Sequence, residues 1–150
     1  MAIGFVVVNW AVIEQQIDNL VNVTFKDCGG RDLRKKADIP RSFSQKAKFL
    51  KECFKKLGPL KPFAGEGLSL VGRACNLSVE RHNLVHGAVT SLVPVNGTFE
   101  FRKVGYERED HTIEPFTWHP DDFSKLAKSL GDLTTDLIAL SQKLADKFLA

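Results

Sequence analysis

Phe123, Leu126, Leu130, Leu133, Leu137, Leu140, Leu144 and Phe148 recur at steps of three and four near the end of the chain. That spacing places side chains on one face of an α-helix. An apolar face of such length is stable in water only when other helices cover it, so the final segment dictates a helical bundle. Pro120-Asp121-Asp122 opens the segment. Proline fits the first helical turn, and the two carboxylates lie at the positive end of the helix dipole. The rest of the chain has to supply matching apolar faces.

Three stretches do so. Val6, Trp10, Ile13, Ile17, Leu20 and Thr24 predict a first helix over about 5–26, ended by Gly29-Gly30. Glu14 sits on the edge of that stripe. Residues 29–41 read as a mobile basic loop closed by Pro40. Ser42, with Gln45 three residues on, has the form of a capping box opening a second helix. Its buried face is Phe43, Ala47, Leu50, Phe54 and Leu57, and Gly58-Pro59 stops it. A connector over 58–67 leads to a third helix, expected over about 67–91. Beyond it the period changes to two. Asn96-Gly97 is a hairpin signal, and the alternation after it predicts two or three short strands. The expected fold is mainly α: one domain over 1–150, an up-and-down four-helix bundle with a small β-hairpin or meander insert (about 93–117) before the last helix.

A chain of 150 residues with 43% hydrophobic and 26% charged residues matches one globular domain. Cys28, Cys53 and Cys75 are odd in number and widely spaced. They read as reduced thiols, neither a disulfide frame nor a zinc site. No secretory leader and no membrane-length apolar run is evident, so a cytoplasmic location without membrane attachment is expected. Net charge is only +3, but residues 31–61 hold eleven basic against three acidic side chains, a local +8 that leaves −5 elsewhere. Lys46, Lys48, Lys51, Lys55 and Lys56 cover much of the second helix. Such asymmetry suits an anionic partner, with Lys48, Lys51 and Lys55 as the candidates to bind it, although a merely solubilising face would look alike.

On the third helix, Leu70, Ala74, Leu77, Leu84 and Ala88 form one apolar stripe, interrupted by Arg81. A second stripe comprises Val71, Cys75, Ser78, Val85 and Val89, with His82 in its middle. Arg81 and His86 are separated by about 140° around the helix. Charged and titratable groups are thus aimed where hydrocarbon is wanted, which is costly unless they are paired or functional.

Arg81-His82-x-x-x-His86 resembles the signature of the HEPN superfamily, in which Arg precedes Asn, Asp or His and, four to six residues later, His. The resemblance implies a small helical bundle, a metal-independent endoribonuclease of a toxin or anti-phage defence system, and RNA as partner. It also implies a homodimer with two motifs facing one cleft, and an antitoxin or regulatory protein as a further partner. His86 would be the general base that draws a proton from a ribose 2′-hydroxyl. Arg81 would clamp the phosphate, His82 would position either, and Asn83 would contact the substrate. The two stripes of the third helix independently favour a dimer, since one can fill the core and the other needs a second surface.

The residues alone keep a second reading open. In it Arg81 is a structural ion-pair residue for Glu14, with His82 and His86 as satisfied polar groups, in a non-catalytic bundle that binds RNA, a nucleotide or a protein. His82 and His86 at i and i+4 also have metal-ligand spacing, but no third ligand declares itself, so no metal and no cofactor is expected. His111 and His119 read as surface residues.

Overall fold

The computed structural model describes residues 2–36, 38–86, 88–93, 98–107 and 110–150, with side chains placed for 4–36, 38–85 and 117–150. Four α-helices form the body: α1 (Ala2–Lys26), α2 (Phe43–Lys56), α3 (Ala64–His86) and α4 (Pro120–Phe148). Three strands, β1 (Ala88–Val93), β2 (Thr98–Glu107) and β3 (Asp110–Trp118), are inserted between α3 and α4. The protein is a mainly α four-helix bundle with a small sheet before the last helix.

The core follows from the periodicities. Leu126, Leu130, Leu133, Leu137, Leu140 and Leu144 of α4 are all buried, as are Trp10, Ile13, Ile17, Leu20 and Thr24 of α1. Each fully buried leucine or isoleucine contributes roughly 1.5–3 kcal/mol of transfer free energy. Thr24 keeps its hydroxyl satisfied inside by donating to the Leu20 carbonyl at 2.7 Å. The capping box at the start of α2 is formed in both directions: Ser42 Oγ accepts from Gln45 N–H at 3.3 Å, and Gln45 Oε1 accepts from Ser42 N–H at 3.5 Å.

Helix directions follow from side-chain pairs. Trp10 meets Phe43 (5.2 Å between ring centroids), Asp18 meets Lys46, and Phe25 meets Phe49 (6.0 Å). Numbers rise together, so α1 and α2 run parallel. Phe54 lies against Gly67, whereas Phe43 and Ser44 flank Ser78, so α3 runs opposite to α2. Arg73–Asp136 (2.6 Å) and Glu66–Lys143 (2.9 Å) then set α4 antiparallel to α3. Alternation thus holds from α2 onward, and the step from α1 to α2 is a return crossing made by residues 27–42.

That crossing differs from the mobile loop expected there. Cys28, Gly30 and Pro40 are buried, and a short 3-10 turn spans Gly30–Leu33. Gly29 adopts φ 86°, a left-handed conformation that favours glycine. A Cβ on Gly30 would meet the Thr24 carbonyl at 2.6 Å and the Phe49 ring at 2.8 Å. The Arg34 guanidinium lies over the Phe49 ring, 5.9 Å from its centroid. Gly30 and Arg34 thus pack against Phe49 despite the polar composition of this segment.

The third helix ends earlier than expected, at His86, and the insert starts at Ala88, not near 93. Ala88 and Val89 pair with Arg102 and Phe101, and a register shift lies between Val89 and Ser91. The Val-Thr-Ser-Leu-Val run, with β-branched residues at 89, 90 and 93, favours a strand once a partner is present. The sheet is antiparallel in the order β1-β2-β3, and Pro115 stands on edge strand β3, where a missing N–H is tolerated. The expected turn at Asn96-Gly97 lies outside the described residues. His119, read as a surface residue, is exposed and is also the N-cap of α4. Its Nδ1 accepts from Asp121 N–H at 3.2 Å, and its own N–H donates to Asp122 Oδ2 at 2.8 Å.

All three cysteines are free thiols. Burial pushes the Cys28 thiol up to about 11, assisted by the charge of Asp27. Burial likewise raises Cys53 to about 12, partly offset by its hydrogen bond with Thr24. The thiolate is the reactive form, so both are protected at neutral pH. Half-exposed Cys75 should therefore be labelled by iodoacetamide well before Cys28 or Cys53 in the native protein, as read by peptide mass spectrometry. Simultaneous labelling of all three would contradict this packing.

Candidate nucleic-acid interface between helices two and three

Two grooves adjoin between α2 and α3, the second also walled by α1. The first, about 630 Å³, has Lys48, Lys51, Lys55 and Lys56 of α2 along one wall and Cys75 and Ser78 of α3 along the other, over Phe43 and Ala47. The second, about 450 Å³, continues past the start of α2 and is lined by Trp10, Glu14, Val79, Arg81, His82 and Asn83. Phe43, Ser44 and Ser78 belong to both. The channel therefore runs from the lysines to the Arg81 motif.

Two separate sequence features are brought together here. Lys48, Lys51 and Lys55 lie at i, i+3 and i+7, one stripe on α2. None of the three forms an ion pair among the described residues. Lys46 and Lys56 are engaged, with Asp18 (2.5 Å) and Glu52 (2.6 Å). The Lys56 hydrogen bond and charge, and more weakly Lys48, hold the Glu52 carboxyl below its ordinary range. The N-terminus of α2 adds to the positive field at the junction. Ser42 caps Gln45, while the first-turn N–H groups of Phe43 and Ser44 have no partner within the helix.

The expected ion pair between Glu14 and Arg81 is not formed. Both side chains line the second groove, yet no bridge within 4 Å joins them among the described residues. Arg81 is half-buried, and its Nε–H is shielded from solvent with no acceptor among the described residues. An unsatisfied donor of that kind costs about 1–3 kcal/mol. His82 is exposed at the groove, Asn83 is half-buried, and both interact with other groups of the chain. His86 is the last residue of α3, one helical turn beyond His82, and its side chain lies outside the described residues.

The second stripe of α3 also has a different use from the one expected. Val71 is fully buried in the subunit core, Val89 belongs to β1, and Cys75, Ser78 and His82 line the groove facing α2. Val85 is half-buried, so among the described residues this stripe does not form one continuous exposed apolar face. Exposed Val79 is a single residue of that face. Phe43, Ser44 and Trp10 were not foreseen as groove residues. The available signal was the capping box, which fixes the end of α2 and hence where its wall stops.

The described residues contain no cluster of three or more His, Cys, Asp or Glu able to hold a metal ion. No described helix is long and apolar enough to cross a membrane. Comparison with protein-family models, with curated proteins and with solved structures returned no match for this chain.

Proposed function

We propose that the chain is a metal-independent endoribonuclease of HEPN type, with its RNA strand lying along the α2/α3 groove. The observation that carries this reading is the continuity of the lysine-lined groove with the one holding Arg81, His82 and Asn83. Lys48, Lys51 and Lys55 hold the backbone, as sequence-independent phosphate contacts do. Arg81 and the first-turn N–H groups of α2 receive the scissile phosphate.

In this reading His86 takes the proton from a ribose 2′-hydroxyl. The 2′-oxygen attacks the adjacent phosphorus, the P–O5′ bond breaks, and the departing 5′-oxygen takes up a proton. A 2′,3′-cyclic phosphate and a 5′-hydroxyl result. Arg81 stabilises the charge that builds on the phosphoryl oxygens, and His82 and Asn83 orient the phosphate and its sugar. The role in a toxin or anti-phage system belongs to the same reading. The groove is built within one subunit, so the reading calls on no second copy. A non-catalytic groove for RNA or a nucleotide is the second reading, favoured by the apolar lining of Trp10, Phe43 and Val79, which provides binding surface without chemistry.

Binding is tested by salt. The affinity for single-stranded RNA should fall steeply as ionic strength rises, and Lys48→Gln, Lys51→Gln and Lys55→Gln together should lower the slope of log affinity against log salt by about 2. Sequence preference should not change. An unaltered slope would reduce the lysines to solubilising residues.

A further inference from the structure

We infer that the Arg81 end of the groove contains a nucleobase subsite selective for guanine, in which Phe43 offers a stacking face and the Glu14 carboxylate reads the base edge. This inference rests on the reading of the groove as an RNA site and adds a specificity determinant to it.

The starting point is the charge of Glu14. It lies exposed in the second groove, with Arg81 and the first residues of α2, and that groove adjoins the one lined by Lys48, Lys51, Lys55 and the Lys56-paired Glu52. It forms no ion pair among the described residues, not even with Arg81 across the same groove. A carboxylate repels phosphate, so in an anion-binding groove it is useful only towards a part of the ligand that donates hydrogen bonds. In RNA the neutral donors are on the bases and the ribose hydroxyls.

Beside Glu14 stands an aromatic surface. The Phe43 ring is half-buried and belongs to both grooves, and Trp10 braces it from beneath at 5.2 Å between centroids, tilted by 60°. A ring fixed by a buried neighbour and open on the groove is a platform on which an unstacked base settles. Guanine alone among the four RNA bases presents two adjacent donors, N1–H and N2–H, on its Watson–Crick edge, which match the two oxygens of one carboxylate. Adenine and cytosine place a ring acceptor beside their amino group, and uracil flanks its single N–H with carbonyls. Against those edges a carboxylate meets at least one lone pair. The matched pair should favour guanine by about tenfold or more.

The experiment measures fluorescence anisotropy with short labelled oligouridylates, made non-cleavable by 2′-O-methyl groups, that carry a single guanosine, inosine or adenosine, or none. Wild type should bind the guanosine oligomer about tenfold tighter than the uridine-only one. Inosine, which lacks the N2 amine, should lose most of that gain, and adenosine should show none. Glu14→Gln should erase the guanosine preference and bind the uridine-only oligomer somewhat more tightly, because a negative charge has left the groove. Phe43→Leu, which keeps an apolar contact with Trp10, should weaken all four oligomers. Salt-sensitive binding of all four with equal affinity in wild type would overturn the guanine subsite and leave the RNA groove standing. Retention of the preference in Glu14→Gln would overturn the role of Glu14. Failure of every oligomer to bind would overturn the groove reading itself, and the subsite with it.

Discussion

Arg81→Ala and His86→Ala should each slow RNA cleavage in EDTA by about a hundredfold or more. Loss of a general base removes the step that makes the 2′-oxygen nucleophilic, and loss of the guanidinium removes charge stabilisation that strengthens as the phosphorane forms. Both variants should stay folded. The Arg81 side chain forms no ion pair among the described residues and its Nε–H meets no acceptor there, so its removal breaks no charge pair among them, and His86 stands at the end of its helix. His82→Ala should have a smaller effect, since a positioning group is worth less than the base. Circular dichroism would confirm the fold, and end-group analysis should find 2′,3′-cyclic phosphates with wild type alone. Equal cleavage by all preparations would assign the activity to a contaminant.

Phe54→Ala should destabilise the protein by about 3–5 kcal/mol, because it opens a cavity in a closely packed core. The Phe54 ring is 2% exposed, and a Cβ on Gly67 would collide with it from α3. Glycine at 67 therefore sets how near α3 comes to α2 at the closed end of the groove. Gly67→Ala alone should cost about 1–3 kcal/mol by overpacking. In the Phe54→Ala background the added methyl falls into vacated space and should cost much less. Urea denaturation of the four proteins gives the coupling directly. Additive losses would mean that the two helices do not meet at this pair.

Much of the bundle was legible because burial has a period. The leucines of α4, the capping box at Ser42 and the stripe of α1 all report a local rule that one sequence window contains. Helix directions were not legible. The return of the chain between α1 and α2 depends on Cys28, Gly30 and Arg34 packing around Phe49, a contact between segments whose compositions look like a loop and an ordinary amphipathic helix. The end of α3 was misjudged for a related reason. Val89 fits the helical stripe, and only pairing with Phe101 of β2 shows that a strand is favoured there.

The candidate site divides in the same way. Arg81 and His82 stood out because they broke an apolar pattern, and the lysines because of local charge. That the two share a groove is a tertiary fact, set by α2 lying antiparallel to α3 with Phe43 beside Ser78. Glu14 and Arg81 line one groove, but a shared groove is not an ion pair, and helical spacing cannot tell the two apart.

The central claim is that one RNA strand occupies both halves of the α2/α3 groove. Backbone amide NMR during titration with a non-cleavable 2′-deoxy oligonucleotide tests it most directly. Perturbations should concentrate at Lys48, Lys51 and Lys55 on α2 and at Ser78, Arg81 and His82 on α3, and should weaken together as salt is added. Perturbations confined to the groove between α1 and α4, around Asn19, Asn22, Ile138 and Ser141, would contradict the account.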